Sequence, residues 1–309
     1  MWRQLTIKDS IQCTGVGVHS GRKVTLTLCP AAAGQGVVFR RTDLPGRPEV
    51  PALLANVADS HLATSLALNG ASVRTVEHLL AALAGAGVDN LTVEVDGPEL
   101  PIMDGSAAPF LLMVNSVGVK TLDAPREAIR IKKTVKVAQG DRRIEVRPSE
   151  KAELSCVIEF DHPLLGCQEL SVPLEAGAFD REISRARTFG FLDDIDQLRK
   201  SGMARGGSLD NVIVIDRFKI LNPGGLRFHD EFVRHKILDM IGDLALLGRP
   251  LLGRIQAHKT GHSLNHHFLR KIKASPDSWD VVSLSPKAIT QPQEAALSHS
   301  SGLAEPAPA

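Results

Sequence analysis

The segment His235-Lys236-Ile237-Leu238-Asp239-Met240-Ile241-Gly242-Asp243 sets an imidazole and two carboxylates at steps of four. Residues four apart share one face of a helix, so a helix here lets His235 and Asp239 grip a single metal ion. On the same winding Val233, Ile237, Met240, Ile241 and Leu244 form one apolar stripe, with His235, Asp239 and Asp243 roughly opposite. Phe232 and Leu246 stand among those charges, and a charge kept in apolar company needs a partner or a metal. Taken alone, the segment also reads as a surface helix with a satisfied His–Asp pair.

A second helical pattern, from near Ser72 through Thr75-Val-Glu-His-Leu-Leu-Ala-Ala-Leu-Ala84 to Gly85 and Gly87, carries His78 and Glu77. Val76, Leu79, Leu80 and Leu83 make its apolar stripe, His78 points opposite, and Glu77 lies roughly 100° round from His78. A lone histidine on such a helix is more often a hydrogen-bonded core residue than a ligand. The adjacent carboxylate weighs against that, because an acid on a largely apolar helix needs its own explanation. Together His78, His235 and Asp239 give two imidazoles and one carboxylate, which suits a catalytic zinc with a fourth position left for water. Glu77 is then the candidate base, since zinc brings the pKa of water down to about 7. The same set holds non-haem iron, so Zn2+ and Fe2+ both stay open. A further cluster runs His258-Lys-Thr-Gly-His262-Ser-Leu-Asn265-His266-His267. There His262, after Gly261 at a strand-to-helix turn, is the candidate general acid or oxyanion stabiliser if a carboxylate such as Asp243 raises its pKa. His266 and His267 read as a solvated helix start.

These groups must be carried by a chain of 309 residues, long enough for two domains of ordinary size. Strand-like runs at Lys23–Leu28 and Gly36–Arg40 precede the first helix, and Asp89–Val95 follows it. The second half repeats the order, with an alternating region over Ile129–Val137, strands near Arg143–Val146 and Leu154–Phe160, the apolar helix ending near Gly248, and a strand at Leu252–Ala257. The expected fold class is therefore α+β, two similar domains with a shared cleft. The boundary falls in the polar stretch Asp123–Glu127, giving an N-terminal domain over 1–125 and a C-terminal domain over 126–290. Residues 291–309, poor in large apolar side chains, read as a disordered tail.

With 36 basic and 35 acidic residues the net charge is +1, so no global field points to nucleic acid. Cys13, Cys29, Cys156 and Cys167 show no CxxC spacing and read as reduced thiols of a cytoplasmic protein. No run approaches the ~18 apolar residues of a membrane span, which leaves peripheral membrane contact as the only kind to consider. The HExxH helix of zinc peptidases is absent. Another zinc amidase, an iron oxygenase on the same ligands, or a binding module without catalysis remain alternatives on residues alone.

A set of motifs in order along most of the chain narrows this. Thr75–Ala84 with Val88-Asp-Asn90, Met103-Asp-Gly-Ser-Ala107, Phe160-Asp-His-Pro163, Arg187-Thr-Phe-Gly-Phe191, Leu226-Arg-Phe228, Glu231–Asp239 and Gly261-His-Ser-Leu-Asn265 resembles the zinc-dependent UDP-3-O-acyl-N-acetylglucosamine deacetylases of lipid A synthesis. The resemblance implies zinc ligands His78, His235 and Asp239, general base Glu77, His262 as general acid or electrostatic stabiliser, and Asp243 orienting His262. It further implies Thr188 on the oxyanion, Lys236 toward the anionic nucleotide, Phe189 toward the sugar, and Phe160 and Phe191 on the uridine side. In that family each domain layers helices on a sheet, the two helix layers face each other with the metal between them, and the protein is a monomer acting on an acylated UDP-sugar. An insertion in the second domain forms an acyl passage. Here it spans about 191–214, where Phe191, Leu192, Ile195, Leu198, Met203 and a mobile Gly206-Gly207 would line or gate it. Some members carry a cysteine where this chain has Ala63, so no thiol is required there.

Overall fold

Two five-stranded sheets with the same winding dominate the computed structural model, which describes residues 2–175 and 177–284. The first lies in the order Ile11–Val16, Lys23–Pro30, Leu91–Val95, Val37–Arg41, Glu49–Pro51. The second lies in the order Val135–Gln139, Arg142–Arg147, Arg254–His258, Glu153–Glu159, Cys167–Pro173. In each, the last strand in sequence enters the centre, parallel to one neighbour and antiparallel to the other. The repeat expected from the order of elements is therefore present in three dimensions, and the fold is α+β.

Six helices accompany the sheets among the described residues: α1 (Glu77–Ala86), α2 (Ala108–Val117), α3 (Ala178–Glu182), α4 (Leu192–Lys200), α5 (Glu231–Ala245) and α6 (His262–Lys273). In each half one helix leads into the central strand, α1 in the first and α5 in the second, and these two pack directly on one another. Their approach is close because α5 presents Gly242, where a Cβ would overlap the Glu77 carbonyl. Leu79, Leu80 and Leu83 of α1 and Val233, Ile237 and Met240 of α5 are all but inaccessible to solvent. Each such side chain contributes about 1.5–3 kcal/mol through burial, which is what holds two charged helix faces together in the interior.

Several boundaries differ from the sequence reading. Ser72 belongs to the strand Ala71–Arg74, and α1 starts only at Glu77, after Thr75 takes a left-handed φ of 59°. At the other end Gly87, with φ 73°, closes α1 through bonds from its amide and that of Val88 back to Ala84 and Leu83, the glycine stop expected. The alternating region 129–137 splits into Glu127–Ile131, paired with Trp279–Ser283 and Leu251–Leu252, and Val135–Gln139 in the five-stranded sheet. Upstream, Val119–Pro125 pairs instead with Arg3–Ile7 near the start of the chain. Residues 252–257 are likewise interrupted at Gly253, which is crowded by Val146 and Arg147.

Within 191–214, Leu192 and Ile195 of α4 join Leu221 against a small separate core of Val18, Ile102, Val212 and Val214. Gly206, expected to be mobile, donates to the Val18 carbonyl at 3.0 Å and lies so close to the Gly17 carbonyl that no Cβ would fit. The expected tail over 291–309, and the end of the second unit from 285, lie outside the described residues. All four cysteines are free thiols. Among the described residues no helix is long and apolar enough to cross a membrane.

Candidate active site

The α1–α5 contact brings His78, His235 and Asp239 together with their ligand atoms all within 4.8 Å of one another. Their side chains are 2–6 % exposed, so the polar face of α5 is as buried as its apolar stripe and the surface-helix alternative fails. His235 Nδ1 lies 3.1 Å from the Ala186 carbonyl, to which it donates, and this leaves the Nε2 lone pair facing Asp239 Oδ1 at 3.4 Å. His78 Nε2 faces the same oxygen at 3.7 Å, while its buried Nδ1 finds no protein partner among the described residues. Burial drives the His235 pKa down to about 3, which keeps that ring neutral as a ligand must be. Burial works against charge on Asp239, yet its neighbours, with the Lys236 ammonium donating to it, hold the carboxyl well below its ordinary range. The neutral His235 ring, the ionised Asp239 and the His78 Nε2 turned to the same carboxylate oxygen fit a divalent cation.

Beside this group stands an acid–base pair. Glu77 opens α1, and its Oε2 accepts the Thr64 amide at 3.0 Å. Burial pushes its pKa up, against the pull of His262 and His78. Glu77 Oε1 lies 3.7 Å from His262 Nε2, and His262 Nδ1 donates to Asp243 Oδ2 at 2.8 Å. For His262 burial opposes the charge, yet the Asp243 carboxylate outweighs it and the pKa is pushed up to about 10. Asp243 is fully buried and stays ionised: the cost of its burial is overcome chiefly by His262. The ring at 262 is therefore a cation held against a base, with its acidic Nε2–H on the side of Glu77.

Three residues of this cluster escaped the sequence reading. Thr64 carries no signal in the sequence, yet it holds both halves of the pair, its amide on Glu77 and its hydroxyl on Asp243 Oδ1 at 2.6 Å. Asn265 donates to Asp243 Oδ2 at 2.8 Å. His266, expected in solvent, is completely buried, whereas His267 is exposed as expected. The spacing of four from His262 to His266 puts both on one helix face, which was the available signal.

The remaining expected site residues lie along a row of rings. Phe191 and Phe160 have centroids 5.9 Å apart, Phe160 and Phe189 also 5.9 Å, and Phe189 and His235 6.3 Å. Phe160 and Phe191 line a cleft of about 550 Å³ whose rim carries Asp193, Asp194, Arg217 and Phe218. Thr188, which precedes these rings, is fixed by backbone bonds to Gly105 and Ile213, each 2.8 Å. Behind it Arg187 is locked to the fully buried Glu231. Lys236 is tied to the ligand cluster: Nζ donates to Asp239 Oδ2 at 2.8 Å and lies 5.5 Å from the Phe189 ring centre. Ile195 sits in the small core beside the Val18 segment.

Comparison with known proteins agrees with this geometry. A family profile described as LpxC, UDP-3-O-acyl N-acetylglycosamine deacetylase, matches residues 4–274. The UDP-3-O-acyl-N-acetylglucosamine deacetylase of Myxococcus xanthus is 53% identical over 281 residues, 91% of this chain and 90% of its own. That of Hahella chejuensis is 50% identical over 284 residues, covering 91% and 94% of the two chains. A third, from an Anaeromyxobacter species, is 51% identical over 287 residues, covering 93% and 94%. A match over nearly the whole fold, taking in both helices that meet at the metal-binding group, means that this chain belongs to the UDP-3-O-acyl N-acetylglycosamine deacetylase family.

Proposed function

We propose that the chain is a zinc-dependent hydrolase that removes the N-acetyl group from UDP-3-O-acyl-N-acetylglucosamine, releasing acetate, in lipid A synthesis. The observation that carries this reading is the meeting, at one buried helix contact, of the three-ligand group with the Glu77–His262 pair. We take His78, His235 and Asp239 as the zinc ligands. A bound zinc would supply positive charge that polarises an amide carbonyl and acidifies water.

The rest of the chemistry belongs to the chain. Glu77, its pKa raised by burial, takes a proton from the water that attacks the acetamido carbonyl carbon. The Thr188 hydroxyl donates to the carbonyl oxygen as it gains charge, and the cationic His262 adds electrostatic support. As the carbon–nitrogen bond breaks, His262 gives its Nε2 proton to the departing amine, and acetate is left. Asp243 keeps His262 charged and turned toward Glu77.

Substrate placement follows the row of rings. The uridine lies in the cleft beside Phe160 and Phe191, the sugar passes Phe189, and the acetamido group reaches the ligand cluster. Lys236 has three N–H donors, of which Asp239 occupies one, so it keeps donors for the diphosphate. The acyl chain lies toward Ile195 and the apolar residues around it. The units meeting at the site are 1–125 and 126–290, since strand pairing changes partners between Pro125 and Glu127. The enzyme is a cytoplasmic monomer able to meet a membrane surface through its acylated substrate.

The test is acetate release from UDP-3-O-acyl-N-acetylglucosamine by purified protein, before and after chelation and with zinc restored. Release abolished by chelation and recovered with zinc is the expected result. Absence of release with one zinc bound per chain would leave a metal site and reject the substrate.

A further inference from the structure

His266 is a charged-type side chain buried completely outside the catalytic pair, and its contacts are specific. It lies one helical turn beyond His262, with the two rings 6.3 Å apart and inclined by 30°. Nε2 is 3.2 Å from Asp243 Oδ1, and Nδ1 is 2.8 Å from the Ser60 hydroxyl. An ionised Asp243 only accepts, so Nε2 carries a proton toward Oδ1, and Nδ1 lies against the Ser60 hydroxyl. Thr64 lies 3.2 Å from Nε2 but spends its own proton on Asp243, so it does not compete for this tautomer. The other tautomer would set a lone pair against a buried carboxylate.

Asp243 thus receives four donors, two on each oxygen. Thr64 and His266 reach Oδ1, and His262 and Asn265 reach Oδ2. The Asn265 side chain is itself fixed, because its oxygen accepts the Thr260 hydroxyl. The plane of the carboxylate decides where the His262 ring points, and the two Oδ1 donors decide that plane. Of those two, His266 is the one anchored at its far side, through Ser60, to the turn between the strands Val57–Asp59 and Ser65–Leu68.

We propose that His266 is a positioning residue for the reaction: acting through Asp243 and braced by Ser60, it fixes the direction in which His262 presents its proton. This rests on the reading of His262 as the general acid. Loss of a group that orients a catalytic side chain costs turnover steeply, because small misplacements remove the reacting geometry while leaving binding intact.

The experiment compares His266→Phe, which keeps a ring but has no N–H, with His266→Gln, whose amide N–H reaches the place of Nε2. For each, kcat and KM for acetate release are measured with zinc content and thermal unfolding. His266→Phe should lower kcat by about 10- to 100-fold with KM within about twofold and full zinc. His266→Gln should recover to within a few-fold of the parent, because Asp243 regains its donor. A kcat for His266→Phe equal to that of the parent overturns the proposal. So does an equal fall in both variants that tracks lost zinc or lost folded protein. If His266→Phe does not fold, Ser60→Ala at the partly exposed anchor decides: a lower kcat at constant KM supports the proposal, and an unchanged kcat rejects it. His262→Ala runs alongside. Full turnover there would reject the general-acid reading itself, whereas its inactivity with a fully active His266→Phe would reject only the role of His266.

Discussion

Replacing Asp243 by Asn tests the electrostatics of the site most directly. Asp243 is the largest influence favouring charge on His262, raising its pKa to about 10 from an ordinary 6.5. A difference of that size corresponds to roughly 5 kcal/mol of preference for the charged ring. In Asp243→Asn the opposing burial remains and only Glu77 and Asp239 are left to favour charge, so the His262 pKa falls toward its ordinary value of about 6.5. At about pH 8 the protonated fraction then drops from nearly complete toward ~3 %, a loss of up to ~30-fold in any step that needs the proton. The deficit shrinks as the pH falls. Initial rates of acetate release across the range from mildly acidic to pH 10 measure this as a descending limb displaced toward lower pH. Stability gives a second readout with the same sign. A raised folded-state pKa contributes stability fully below the unfolded value of 6.5 and loses it as the pH rises through about 10. The wild-type protein should therefore lose that contribution between those limits, and Asp243→Asn should not. A variant whose descending limb stays where the parent has it would refute the argument that this carboxylate sets the charge on His262.

Gly242→Ala should force α1 and α5 apart, since its Cβ would overlap the Glu77 carbonyl; a cost of about 1–3 kcal/mol in denaturant unfolding and weaker zinc binding are expected. Glu231 is fully buried and accepts from Arg187 and the Arg227 amide, so Glu231→Ala strands a buried guanidinium. A loss of about 3–5 kcal/mol should appear in the unfolding midpoint. Glu77→Gln should retain the fold and its zinc but lose turnover by at least about 100-fold, the contribution of a positioned base; near-normal acetate release would remove Glu77 from the mechanism.

Within the sequence itself lay the chemistry and the repeated plan. Steps of four along two apolar helices announced His235, Asp239 and Asp243 on one face and His78 beside Glu77 on the other helix, because helical periodicity is local and survives without tertiary context. The order of strands, helix, glycine stop and strand was also local, and it reappears as two sheets with one winding. Family membership was legible for the same reason: contiguous motifs carry it. What the tertiary structure decided was whatever depends on distance between remote segments. Thr64 lies 179 residues from Asp243 and Ser60 lies 206 from His266, and their hydroxyls look like those of any loop until the α1–α5 contact forms around them. His266 read as solvated because its immediate neighbours, Asn265 and His267, are polar; its burial comes from a neighbouring strand pair and helix. The charge of Lys236 is visible in the sequence, but its bond to Asp239, one turn on, appears only in the fold. The helix start at Glu77 rather than Ser72 came from the pairing of Ala71–Arg74 with Ser65–Leu68, a contact that outweighs the helix propensity of the residues involved.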